Sequence, residues 1–215
     1  MTSQLCQPRT ILLLHTKKMT ACFRAWAINK STQGIIMINM TPESLLAFMH
    51  KNKYEADIQS DTQQVYTIFK IGPKEYPLFL RVFDDGHLLQ LLVFIPCHLE
   101  PNEHFVLGKE SKHAPSEPTK NKQQRTVVAD LARLLHLLNK ELDVPGFGMD
   151  EMAGVVFYRV MLPTPKKKVD SELLLAFLKT AEHVCQMFST PIEAVSSGQM
   201  TLDEILAKAK EMEQT

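Results

Sequence analysis

A chain of 215 residues, 45% apolar and 22% charged, can bury a real core and is neither fibrous nor collagen-like. Its formal charge of zero is unevenly spread: residues 1–42 carry five basic residues and no carboxylate, which leaves 19 basic against 24 acidic residues in 43–215, a net of −5. A mildly acidic domain without a basic stripe argues against nucleic acid, whose affinity rests on neutralising phosphates. No window reaches the ~18 consecutive apolar residues of a membrane-spanning helix.

Residues 1–40 fit poorly with the rest of the chain. Ile11-Leu12-Leu13-Leu14 is broken by His15 and Lys17-Lys18, short of the roughly 7–15 apolar residues of a secretory signal. The basic, acid-free composition has something of an organelle transit peptide. The segment is read as a leader outside the fold, disordered or upstream of the true start, for which Met37 and Met40 are the candidates.

The first helix opens at Thr41 as N-cap, with Pro42 at its first position and Glu43 at the positive end of the dipole. Leu45, Phe48 and Met49 form its apolar face, and Lys51-Asn52-Lys53 ends it. Strands are expected over 55–59, 64–71, 76–83 and 87–95. Val65-Tyr66-Thr67-Ile68-Phe69 is almost wholly β-branched and aromatic, and Gly72-Pro73 interrupts the chain after it. Asp84-Asp85-Gly86 reads as a three-residue hairpin loop, with Gly86 supplying a positive φ.

Residues 99–122 form a polar stretch with Pro101, Pro115 and Pro118, about 24 residues of expected loop. A second helix spans 123–142 on a stripe of Val127, Val128, Leu131, Leu134, Leu135, Leu138 and Leu142. Two strands, 147–149 and 155–162, precede a proline- and lysine-rich link from Pro163 to Lys168. Asp170 caps a third helix with Leu173, Phe177, Ala181, Val184 and Phe188 on its buried face and Leu174, Leu178 and Cys185 beside it. An amphipathic tail helix over 201–212 uses Leu202, Ile205 and Leu206. The domain is thus expected over 41–195, in the order α-β-β-β-β-α-β-β-α with the tail helix in 196–215. That order predicts an α+β fold, an antiparallel sheet with helices packed on one face.

Chemical motifs are missing. The eight glycines form neither GxGxxG nor GxxxxGK[ST], and neither a GxSxG elbow nor HExxH occurs. Cys97, His98 and His104 are the nearest thing to a ligand cluster, but they lack a second pair at metal spacing. Cys97 and His98, adjacent at a strand end, point apart and make a poor thiol–imidazole pair. His136 within the leucine-rich helix reads as a packed or rim histidine, and Lys166-Lys167-Lys168 as a solvated link. Cys6, Cys22, Cys97 and Cys185 lie far apart, which suits free thiols in a reducing cytoplasm. No enzyme, cofactor or metal is expected.

The informative feature is a surplus of apolar surface. With Phe83 opposite His87, one hairpin face carries Leu78, Leu80, Val82, Leu88, Leu92 and Phe94. The other carries Phe79, Arg81, Phe83, Leu89, Leu91 and Val93. A half-exposed sheet alternates apolar with polar, so the second set is the expected partner-binding or dimer patch.

The elements also resemble a known family. Thr41-Pro42-Glu43-Ser44-Leu45-Leu46, Asp85-Gly86-His87-Leu88-Leu89-Gln90, Leu137-Leu138-Asn139 and Asp170 through Phe177 are similar to stretches of the YbjN family. These bacterial domains are described as sensory-transduction regulators, and their fold resembles the type III secretion chaperones. The insertion at 99–122 and the leader depart from that family's compact pattern. The resemblance implies a non-enzymatic binding protein, with secretion chaperones suggesting a dimer that holds an extended partner segment on its sheet and grooves. A small-molecule sensor or an enzyme of unrecognised chemistry is the alternative.

Overall fold

A computed structural model describes residues 36–97, 99 and 118–213, leaving out the side chains of 118–125, 212 and 213. The first strand, β1 (Met37–Asn39), leads into helix α1 (Pro42–Lys51). Strands β2 (Ala56–Ile58), β3 (Val65–Ile71), β4 (Lys74–Phe83) and β5 (Leu88–Ile95) come next. Helix α2 (Pro118–Glu141), β6 (Phe147–Asp150), β7 (Val155–Pro163), β8 (Lys168–Asp170), α3 (Ser171–Ser196) and α4 (Leu202–Glu213) complete the described chain. Six strands form one antiparallel sheet in the order β2-β3-β4-β5-β7-β6, while β1 pairs with β8 in a separate two-stranded ribbon. The α+β architecture expected from the sequence is the one observed.

Local chemistry explains the element ends. Thr41 Oγ1 accepts the Ser44 amide at 3.3 Å, capping α1, and Pro42 sits where its missing N–H costs nothing. Asp170 Oδ1 accepts from the Glu172 and Leu173 amides at the start of α3. Thr201 and Glu204 form a reciprocal box at α4, the Thr201 amide donating to Glu204 Oε2 at 2.8 Å and the Glu204 amide to Thr201 Oγ1 at 3.3 Å. Asp130 Oδ2 accepts the Leu202 amide, tying that end of α4 to α2.

The helices cover one face of the sheet. Leu78, Leu80, Leu89, Leu91, Val93, Val156 and Tyr158 rise from it into a core closed by Leu45 and Met49 of α1, Leu131 of α2 and Leu174, Leu178 and Val184 of α3, all at 0 or 1% exposure. Two buried tyrosine hydroxyls are paired, as burial demands. Tyr76 donates to Ser189 Oγ at 2.7 Å, joining β4 to α3, and Tyr158 donates to the Val144 carbonyl at 2.7 Å. On α3 the buried stripe centres on Leu174 and Leu178 and runs on to Ile192 and Val195, while Leu173 and Phe177 sit half-buried at its border. Leu202 of α4 is buried at 1%.

Three expectations need correction. The leader reaches too far: Ile38 and Met40 are core residues at 8 and 5% exposure, and Met37–Asn39 is a strand. Its partner β8 starts at Lys168, the last residue of the expected link, and Val169 is buried opposite Ile38. The first turns of α2 occupy 118–122, so the expected loop is shorter there. Residues 100–117 of that loop and 1–35 of the leader lie outside the described residues.

The third correction concerns the 76–95 hairpin. Phe83 pairs with Leu88, so the loop holds four residues, Asp84 to His87. Asp84 and Asp85 both adopt φ near 50°, Gly86 takes 95°, and the His87 amide returns to the Asp84 carbonyl at 3.0 Å. The extra residue shifts the register by one, and a one-residue shift turns every β5 side chain to the opposite face.

Candidate partner-binding face

The shifted register divides the expected patch. Leu89, Leu91 and Val93 stand opposite Val82, Leu80 and Leu78 and are fully buried in the core. Phe79, Arg81 and Phe83 remain on the other face, joined there by Leu88, Gln90, Leu92 and Phe94 of β5. Aligned residues from the flanking strands extend this surface: Tyr66 beside Phe79, Arg159 beside Leu92, Met161 beside Gln90 and Phe157 beside Phe94. Among the described residues no helix lies over it.

Aromatic packing organises this open face. Tyr66 and Phe79 stack at 6.3 Å between centroids, and Phe79 meets Phe94 edge-on at 5.7 Å. Both arrangements suit the ring quadrupole. These side chains are half-buried through one another and stand apart from the core cluster. Ile68 and Met161 are 41 and 39% exposed. Two arginines complete the surface: the Arg81 guanidinium lies 4.3 Å from the Phe83 ring centroid and that of Arg159 5.6 Å from Phe157. Each contact contributes about 0.5–1 kcal/mol at an exposed position. Among the described residues neither guanidinium forms an ion pair.

The two sheet edges differ. At β6 the Asn139 carboxamide of α2 acts as a surrogate strand. Its Oδ1 accepts the Gly146 and Phe147 amides at 3.0 and 2.9 Å, and its Nδ2 donates to the Phe147 carbonyl at 2.9 Å. These are groups an incoming strand would need, so that edge is blunted at this point. Close packing beside it requires glycine: a Cβ on Gly146 would fall 2.4 Å from the Arg159 carbonyl oxygen, and one on Gly148 2.6 Å from the Phe157 ring. At the opposite edge β2 has three residues, too short to template a long partner strand.

The remaining candidates offer little chemistry. Cys97 is half-buried with its thiol 3.1 Å from the Gly154 carbonyl, whereas His98 and His104 lie outside the described residues. Among the described residues no group of three His, Cys, Asp or Glu side chains is placed to hold a metal. His136 is exposed on α2. Burial pushes the Cys185 thiol up to about 12, so it stays protonated and inert. A concavity of about 600 Å³ lined by His50, Tyr54, Glu55, Tyr66 and Lys70 is open to solvent beside the β2 edge. Lys167 is no free linker residue: its ammonium pairs with Asp85 at 2.6 Å, and its carbonyl accepts the Met40 amide at 2.9 Å.

The geometry defines an α+β domain with one filled face and one aromatic, arginine-bearing face. The YbjN family model, described as "Putative bacterial sensory transduction regulator", matches residues 117–194. That segment runs from α2 through β6, β7 and β8 into α3, taking in Leu137-Leu138-Asn139 and Asp170 through Phe177. The family-like stretches at 41–46 and 85–90 fall outside it. No curated protein matches the chain. Among the described residues no helix is long and apolar enough to cross a membrane.

Proposed function

We propose that this protein is a non-enzymatic binding module, regulatory or chaperone-like, that holds a partner polypeptide on the open face of its sheet. The observation that carries this reading is the connected surface of Tyr66, Phe79, Leu92, Phe94 and Phe157, opposite a core already complete without it. Large exposed apolar surfaces on a well-packed domain mark interaction sites. The regulator description of the matched family suits such a role. Free Cys97 and Cys185 suit work in a reducing cytoplasm.

The edges favour docking across the face over strand addition, since Asn139 occupies the β6 edge and β2 is short. The test compares proteins retained from the native host by the wild-type chain and by a Phe79→Asp/Leu92→Asp variant. A protein retained by the wild type and lost from the variant, with the variant still cooperatively folded, is expected. Equal retention by both sinks the reading.

A further inference from the structure

The open face carries a charge pattern as well as apolar area. Arg81 on β4 and Arg159 on β7 stand astride β5, with Gln90 and Leu92 between them. Two strand spacings of about 4.8 Å and a two-residue offset of about 3.4 Å per residue separate their Cα atoms by roughly 12 Å. Each guanidinium leans away from the centre, Arg81 toward Phe83 and Arg159 toward Phe157, so the charges frame Gln90 and Leu92, with Phe79 beside Leu92. Stacking on a ring leaves the guanidinium edge, with its N–H donors, directed to solvent and suited to a carboxylate. Both arginines are exposed.

We infer that the occupant of this face is an extended, acidic segment of a partner polypeptide, with two carboxylates flanking aromatic or aliphatic side chains on one side of the strand. The inference rests on the binding-module reading and names the chemistry of its partner. In an extended chain, residues four to six apart on the same side lie roughly 13–20 Å from one another. That span matches guanidiniums starting about 12 Å apart and leaning outward. Alternate residues between the carboxylates meet Leu92 and its neighbours Gln90 and Phe79.

Charge separates this occupant from its competitors. A second copy related by a two-fold axis through Leu92 would lay the same surface upon itself, bringing arginines toward arginines, since the carboxylates of this face, Asp57, Glu75 and Asp150, stand toward its margins. Nucleic acid would meet two arginines on a domain whose residues 43–215 carry a net charge of −5. That overall charge acts weakly on an acidic segment once docked, because exposed charges beyond about 8–10 Å are screened at physiological salt.

The test uses the full chain, isotope-labelled for amide NMR, and three acetylated, amidated heptapeptides. They are Glu-Ser-Phe-Ser-Leu-Ser-Glu and its versions with Lys or Gln in place of both Glu. The glutamate peptide is expected to shift amides of β4, β5 and β7 and to bind about tenfold more tightly than the lysine peptide, as two paired instead of two repelled surface charges imply. The Arg81→Glu/Arg159→Glu variant, whose substitutions lie on the exposed surface, is expected to reverse that preference while still unfolding cooperatively.

Equal binding of all three peptides to β4, β5 and β7 overturns the acidic partner and leaves the binding face standing. Absence of shifts on this face with every peptide overturns both readings. Binding that appears only after residues 100–115 are deleted overturns the inference in favour of a segment of this chain. Sedimentation of a dimer that buries Leu92 overturns it in favour of a second copy.

Discussion

The two faces of the sheet come from the same strands and nearly the same alphabet, yet they do different work. On β5 one set of alternate residues, Leu89, Leu91, Val93 and Ile95, is 0–3% exposed beneath the helices. The other set, Leu88, Gln90, Leu92 and Phe94, is half-buried through its neighbours. Apolar character alone therefore does not locate a core; cover does. The covered face is largely aliphatic, with Phe69, Phe147 and two hydrogen-bonded tyrosines among its side chains, whereas the open face places arginine on its phenylalanines.

The contrast can be broken most sharply at neighbouring residues. Leu91→Ala should destabilise the fold by about 3 kcal/mol, as deletion of a fully enclosed side chain leaves a cavity, and the urea midpoint measures it. Next in size, Asn139→Ala removes the cap from the Phe147 amide and carbonyl. A loss of about 2 kcal/mol is expected from the orphaned backbone groups. Light scattering should also show association that grows with concentration as the edge becomes available; an unchanged midpoint would refute the surrogate-strand account.

On the open face, Leu92→Ser should cost less than about 1 kcal/mol, near the range of ordinary surface substitutions. A loss equal to that of Leu91→Ala would show that something covers this face. The smallest effect concerns pH. The hydrogen bond and charge of Lys167 hold the Asp85 carboxyl below its usual value. A depressed folded value means that the contribution is present above about pH 4 and is lost as pH falls through the folded value. Melting curves of wild type and Asp85→Asn should therefore differ at neutral pH and converge in acid.

Much of this fold was legible because its signals are local. Thr41, Pro42, Asp170 and Gly86 each act within a few residues of themselves, and the chain uses them as their chemistry suggests. The face of β5 was not. Arg81 marks an outward position on β4, but Leu88 to Ile95 is apolar on both sides except for Gln90, so alternation cannot choose a register. The choice falls to the hairpin tip, where Asp84 joins Asp85 and Gly86 at positive φ and His87 becomes a loop residue. Half of the expected patch moved into the core for that reason. β1 was equally hidden, since three residues carry almost no periodic signal and their partner lies far along the chain. The Asn139 cap has a faint signal, a polar residue close to the buried stripe of a leucine-rich helix, but its target is set only by the fold.

The β1–β8 ribbon has a consequence for how the protein is made. Ile38 is translated long before Val169, its partner, and the Ile36 carbonyl accepts the Ser171 amide beside the α3 cap. Such distant pairing slows closure, because loop entropy must be spent before the contact forms. On the ribosome Met37–Asn39 must wait, unpaired, while two helices and six strands emerge. Ribbon and α3 then come together in one late step, and the amides of β1 should be among the first to exchange with solvent when the native protein opens.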